Sequence, residues 1–322
     1  MTVMNNRTIA VVFPGQGSQR PGMGKDFYDN SAVAKDTYRE ASEALGFDVT
    51  ALCFEENDRL NLTENAQPCI LATEIAMYRS IVDRWGIQPE CFGGHSLGEY
   101  TALVTAGVMP FAEALRTVRT RGSLMQEAAP VGTGGMAAVI CEGINRDELG
   151  RLIADLPVDI ANVNAENQLV LSGKREGLDE AGRRLETTLE KKEGYRFVPL
   201  EVSAPFHSRF MKVIEEPFHR VLENMKAVKN PEAAATVTSN FTGRFHDGTY
   251  GSIVNGLVRQ LSHTVRWTDN MASIASRARL VFEIGPGRPL RKLFATMGVD
   301  CSSVTTFGAA QRAFAGAGEE QP

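Results

Sequence analysis

The chain has 322 residues, 43% hydrophobic and 23% charged, and its 34 Lys and Arg against 39 Asp and Glu give a formal net charge of −5. That length holds one large domain with an insertion, or two domains, and the composition is that of an ordinary globular protein. With no long basic run the acidic balance argues against a nucleic-acid partner. No apolar run reaches the length of a membrane span, and residues 1–7 are too short and polar for a signal peptide.

In chain order, the first predicted element is a short apolar strand over residues 8–13, closed by Pro14-Gly15. Helical spacing of Ile70, Ile75, Met77, Ile81 and Val82 predicts a helix over 66–85, and a strand over 87–94 follows. A helix is expected to open at 97–108 and another at 111–128. Val131-Gly132-Thr133-Gly134-Gly135 then reads as a hinge. Beyond it the expected order is strand 136–140, helix 145–156, strands 158–163 and 168–172, helix 175–190 and strand 195–202. That β-α-β-β-α-β order is ferredoxin-like.

The class is therefore α/β. A large discontinuous domain, residues 1–131 and 203–312, is expected to carry the ferredoxin-like subdomain, 132–202, as an insertion. Further strands are expected at 235–239 and 280–284, and residues 313–322 read as a disordered tail. Five scattered cysteines, Cys53, Cys69, Cys91, Cys141 and Cys301, form no Cys-x-x-Cys pair. They suit reduced thiols in a cytoplasm and argue against structural zinc.

The most informative stretch is Gly94-His95-Ser96-Leu97-Gly98-Glu99-Tyr100. Gly-x-Ser-x-Gly between a strand and a helix lifts a serine hydroxyl out of the backbone at a sharp turn, as a nucleophile requires. The same pentapeptide also fits a glycine-flanked turn with a solvated serine, so the remaining residues must decide. A nucleophilic serine needs a base, and there are five histidines. His95 should point away from the apex and pack or hydrogen-bond nearby. His219 and His246 read as surface residues, and His263 has no distinguishing context. His207 follows a strand, where loops leaving a sheet gather an active site, and is the candidate base.

Arg121 lies at the edge of the apolar stripe of helix 111–128, while Arg116 points nearly opposite it. Two roles are open to Arg121: snorkelling at the rim, or presenting its fork inward to a carboxylate. Phe13-Pro14-Gly15-Gln16-Gly17-Ser18-Gln19 is either a tight strand-to-helix turn or a loop whose backbone amide approaches a ligand closely.

Taken with Arg121-Gly122, Asn162-Val163-Asn164, Phe206-His207-Ser208, Gln260 before Val265-Arg266-Trp267, and Glu283-Ile284-Gly285-Pro286-Gly287, these segments resemble the malonyl-CoA:acyl-carrier-protein transacylase family. Discrete acyltransferases of polyketide synthesis belong to the same group. The resemblance spans nearly the whole chain and implies an α/β-hydrolase-like large domain with an inserted ferredoxin-like subdomain.

It also implies Ser96 as nucleophile, His207 as general base, and backbone amides of Gln16 and Leu97 as the oxyanion hole. A carbonyl at Gln260 would orient the histidine, and Arg121 would hold the malonyl carboxylate. Asn162, Gln260 and Phe206 are further pocket residues. The implied partners are malonyl-CoA and acyl carrier protein, with no cofactor and no metal, in a cytoplasmic monomer. Arg288, Arg291 and Lys292 are a candidate carrier-docking cluster, although a solvated face explains them equally. Alternative readings are a transacylase of a trans-acting polyketide pathway, a proofreading acyl hydrolase of such a pathway, and a silent carrier-docking module.

Overall fold

The computed structural model describes residues 8–130, 132–202 and 204–315. Among these residues eight strands run in chain order as β1 (Ile9–Phe13), β2 (Cys91–Gly94), β3 (Gly134–Ile140), β4 (Val158–Ala165), β5 (Gln168–Lys174), β6 (Arg196–Pro199), β7 (Leu280–Ile284) and β8 (Cys301–Val304). They form two sheets, one ordered β2-β1-β7-β8 and the other β4-β5-β3-β6.

The first sheet is parallel throughout. Its strands are short and apolar because helices cover both faces. Val11, Phe13 and Phe92 point into the larger core with the long helix Thr63–Trp85, while Ala10, Val12 and Cys91 point into a second core against the helix Trp267–Arg277. In-register pairing of Phe13 with Gly94 brings the carboxyl ends of β1 and β2 side by side. The loops that leave those ends are therefore neighbours, as in other open α/β sheets that bind ligands there.

The second sheet is antiparallel and carries the helices Arg146–Leu152 and Arg175–Leu189 in ferredoxin-like order. Alternation of side chains divides its two faces. Ala137, Val139, Leu169 and Leu171 make a separate small core with those helices, while Met136, Ala138 and Val170 join the larger core. The two sheets are stitched together at β4. Val163 N–H donates to Val265 O (2.9 Å) and Val265 N–H to Ala161 O (2.8 Å), and Arg209 Nε donates to Asp159 Oδ1 (2.9 Å).

Several expectations need correction. No strand forms at 235–239: Pro231–Thr236 is a 3-10 helix and Val237 makes a single parallel bridge to Phe92. Pro231 at the first helical position and the Ala233-Ala234-Ala235 run favour a helical turn over an extended strand. Gly134 and Gly135, expected in the hinge, already pair as the start of β3. Residues 313–314 are ordered within the helix Phe307–Phe314, and the buried Phe314 ring packs 4.7 Å from Phe282. The rest of the expected tail from 316, and the expected domain boundaries at Val131 and Ser203, lie outside the described residues.

Candidate active site

Strand β2 ends at Gly94 and the helix Gly98–Thr105 begins four residues later, so Ser96 occupies the apex of the turn. Its φ of 52° is in the left-handed region, a strained place for a non-glycine residue. The flanking glycines are what make the turn closable. A Cβ on Gly94 would land on the Gly98 carbonyl, and one on Gly98 would strike the carbonyl of Phe13. Side chains from distant segments satisfy the serine backbone: Ser96 N–H donates to Asn240 Oδ1 (2.6 Å) and Ser96 O accepts from Gln260 Nε2 (3.0 Å). Asn240 Nδ2 also donates to Gly94 O (2.7 Å).

His207 is buried and, like Ser96, has a positive φ, 57°. Its Nδ1 lies 2.7 Å from Gln260 O and its Nε2 lies 2.7 Å from Ser96 Oγ. A carbonyl can only accept, so Nδ1 carries the proton and Nε2 is the lone-pair nitrogen. Ser96 O–H therefore donates to Nε2. Burial first, and then the Arg121 charge, push the His207 pKa down to about 3 against the opposing pull of the Gln260 carbonyl. The ring is consequently neutral and able to accept a proton.

Arg121 is 1% exposed on the helix Phe111–Glu127, whereas Arg116 and Arg119 are exposed. Of the two roles left open by the sequence, the guanidinium takes the inward one. Nη1 donates to Gln67 Oε1 (2.9 Å), and Nη2 to Gln260 Oε1 (2.9 Å) and Ser96 Oγ (3.2 Å). The Tyr100 ring lies 5.4 Å below it, and among the described residues the buried Nε has no hydrogen-bond partner. Burial lowers the Arg121 pKa, yet an arginine stays protonated in proteins. Here a buried cation stands beside a serine hydroxyl.

Gln16 and Leu97 sit on the loops leaving the adjacent ends of β1 and β2, which His95 N–H ties together through Phe13 O (3.0 Å). Among the described residues no backbone acceptor takes the N–H of either. The Gln16 side chain is held by Thr63 (3.4 Å) and Gln67 (3.4 Å). Phe206 is buried next to the base. Asn162 is buried in β4 and bridges Val265, and its side chain makes no hydrogen bond to Ser96, His207 or Arg121. Its neighbour Asn164 instead accepts from His95 Nε2 (2.9 Å), whose ring packs on Trp267, so His95 does turn away from the apex.

His246 corrects the sequence reading. It is buried, not on the surface, and its Nε2 donates to Glu99 Oε1 (3.1 Å). Sequence reasoning also missed Gln67, Asn240 and the role of Glu99. Only Glu99 carried any signal, an acidic residue placed three positions after the serine in an otherwise apolar helix start. Arg288, Arg291 and Lys292 are exposed and line a cavity of about 720 Å³ that also meets Gln16, Asn164 and Gln168. No helix of the described residues is long and apolar enough to cross a membrane.

Residues 10–306 match the acyl transferase domain family. The chain is 39% identical over 293 residues to the malonyl CoA-acyl carrier protein transacylase of Bacillus subtilis, covering 88% of this chain and 89% of that one. Among solved structures, FabD from Acinetobacter baumannii superposes with a TM-score of 0.89 at 32% identity, over 97% and 98% of the two chains. A malonyl-transacylase solved with its type II polyketide acyl-carrier protein (PlMCAT:AntF) gives a TM-score of 0.89 at 35% identity, over 96% and 99%. With a nucleophile elbow, a neutral imidazole and a buried guanidinium meeting at one hydroxyl, and with similarity running through nearly all of its length, the chain belongs to the acyl transferase domain family.

Proposed function

We propose that the chain moves a malonyl group from malonyl-CoA to the phosphopantetheine thiol of an acyl carrier protein, through a malonyl ester on Ser96. The observation that carries this reading is the convergence at Ser96 Oγ of His207 Nε2 (2.7 Å) and Arg121 Nη2 (3.2 Å). The first makes the oxygen a nucleophile. The second places a fixed positive charge where an acyl group bearing a free carboxylate would lie.

In the first half-reaction His207 Nε2 takes the Ser96 proton as Oγ attacks the thioester carbonyl. The tetrahedral oxyanion is met by the amides of Gln16 and Leu97, each such donor contributing about 3 kcal/mol in the transition state. The C–S bond breaks, the CoA sulfur leaves with the proton from His207, and the ester remains. The carrier thiol then gives its proton to His207, attacks the ester carbonyl, and departs as malonyl thioester while Ser96 recovers its proton. Gln260 O holds the Nδ1 proton throughout, so no third carboxylate is required for this orientation.

Arg121 selects the substrate. An acetyl group leaves the guanidinium without an anionic partner, a penalty of about 3–5 kcal/mol for a buried charge. The basic rim of Arg288, Arg291 and Lys292 beside Gln16 suits the phosphates of CoA and an acidic carrier. The same chemistry serves fatty-acid and polyketide carriers, and a cytoplasmic setting, where buried free thiols stay reduced, fits both. The direct test is intact mass after exposure to malonyl-CoA. Wild-type protein should gain about 86 Da and lose it on addition of holo carrier protein, and Ser96→Ala should gain nothing. An undiminished adduct on Ser96→Ala would move the nucleophile elsewhere.

A further inference from the structure

One buried acidic side chain in this cluster takes no part in the proposed chemistry. Glu99 lies in the first turn of the helix Gly98–Thr105 and is fully buried. Oε2 accepts from Gln260 Nε2 (2.7 Å) and from Asn240 N–H (3.0 Å), and Oε1 accepts from His246 Nε2 (3.1 Å). A buried carboxylate is tolerated only when its oxygens are paired in this way.

The consequence runs through Gln260, whose amide has a donating and an accepting end. The donating end faces Glu99 Oε2 and Ser96 O, and neither oxygen can donate. That leaves Oε1 directed at Arg121 Nη2, 2.9 Å away. A flipped amide would press its oxygen against a carboxylate and a carbonyl, and its NH2 against a guanidinium. The partner that makes this flip most costly is the carboxylate, because charge-assisted hydrogen bonds are about twice as strong as neutral ones.

We propose that Glu99 is a positioning residue for acyl-group selectivity: as a hydrogen-bond acceptor it fixes the Gln260 side chain, which in turn holds the Arg121 guanidinium against Ser96. The inference rests on the proposed role of Arg121 in gripping the substrate carboxylate. A purely structural role has a different signature. Glu99 also braces the elbow through Asn240, and loss of that brace alone would slow every acyl group alike.

The test is the ratio of kcat/KM for Ser96 acylation by malonyl-CoA to that by acetyl-CoA. Glu99→Ala should lower this ratio at least tenfold. Glu99→Gln, which keeps an oxygen for Gln260 and Asn240, should hold it within about threefold of wild type. Gln260→Ala should lower the ratio as Glu99→Ala does, and the double variant should fall no further, because both act along one path. An unchanged ratio in Glu99→Ala overturns the proposal, as do a Glu99→Gln ratio as low as that of Glu99→Ala and single effects that multiply. Should Glu99→Ala not fold, Gln260→Ala decides, and an unchanged ratio there overturns it too. Arg121→Ala separates the two readings. If that variant keeps its malonyl preference the proposed function loses its selectivity element, whereas if it loses the preference and Glu99→Ala does not, only the present inference fails.

Discussion

The two sheets of this molecule use their interiors in opposite ways. The antiparallel unit is apolar inside, with Val139, Leu149, Leu171 and Leu185 packed between its sheet and helices, and its charges lie outside. The parallel unit buries Glu99, Arg121, Asn240, His246 and Gln260 together at the carboxyl ends of its strands. Burying such groups is unfavourable unless each is paired, and their paired arrangement fixes Ser96 and His207 in strained backbone positions. The first unit is held by apolar packing, and Asn164 and Gln168 from its strands line the cavity beside Gln16. The second carries polar interactions that position reacting atoms, and the small sheet supplies a wall beside them.

Substitutions in the two units should therefore have unlike consequences. The largest effect is expected at Arg121. Arg121→Ala should lower malonyl loading of Ser96 by about two to three powers of ten relative to acetyl loading, followed as initial rates of adduct formation. Equal losses for both acyl groups would reduce Arg121 to a structural part of the cluster.

The pH profile comes next. The His207 pKa is depressed to about 3 in the folded protein, below the ordinary histidine value of about 6.5. Because kcat/KM reports the free enzyme, malonyl loading should stay level as pH falls from about 8 to 5, with no break near 6.5. An unshifted base would lose about tenfold or more across that interval. His95 is also held below its ordinary value by burial. For both rings the fold binds fewer protons than the unfolded chain, so stability rises with pH through this range. Their contribution is complete above about 6.5 and declines as pH falls toward the folded values. Thermal midpoints measured at pH 7 and pH 5 should differ in that direction.

Smaller effects belong to the surface. Arg291→Glu should weaken carrier-protein use by about threefold to tenfold at low salt and less at high salt, while intrinsic Ser96 acylation keeps its malonyl preference. A carrier rate indifferent to both charge reversal and salt would remove the basic rim from docking. At the joint between the sheets, Arg209 and Asp159 form an ion pair whose arginine side chain is 57% exposed. Arg209→Ala should cost about 1 kcal/mol or less in denaturant unfolding. A larger cost would mean that the small sheet is held to the large one by this contact more than by the β4–Val265 bonds.

The elbow was readable in the sequence because its requirements are local: two glycines, a serine, a strand before and a helix after. Arg121 was half readable, since helix periodicity placed it at the edge of the apolar stripe without saying what it met. His207 stood out by its position after a strand. The ferredoxin-like order was legible from alternating short apolar runs and helical spacing, but β8 was not, because Ser302 and Ser303 dilute its apolar character. What stayed hidden depends on segments far apart in sequence. Asn240 meets Ser96 across 144 positions and His246 meets Glu99 across 147, so a histidine in a His-Asp-Gly turn looked like a surface residue. Local pattern cannot show that a polar side chain is buried against a partner from another segment.

One hydroxyl is shared by a neutral base and a buried cation, and the proposed function requires that the cation read the acyl group. A crystal structure of the malonyl-loaded protein would show which group the acyl carboxylate meets. The expected result is an ester on Ser96 with its free carboxylate hydrogen-bonded to Arg121 and its carbonyl oxygen turned to the amides of Gln16 and Leu97. A malonyl-serine whose carboxylate points to solvent or to another residue, leaving Arg121 bonded only to Gln67 and Gln260, would contradict it.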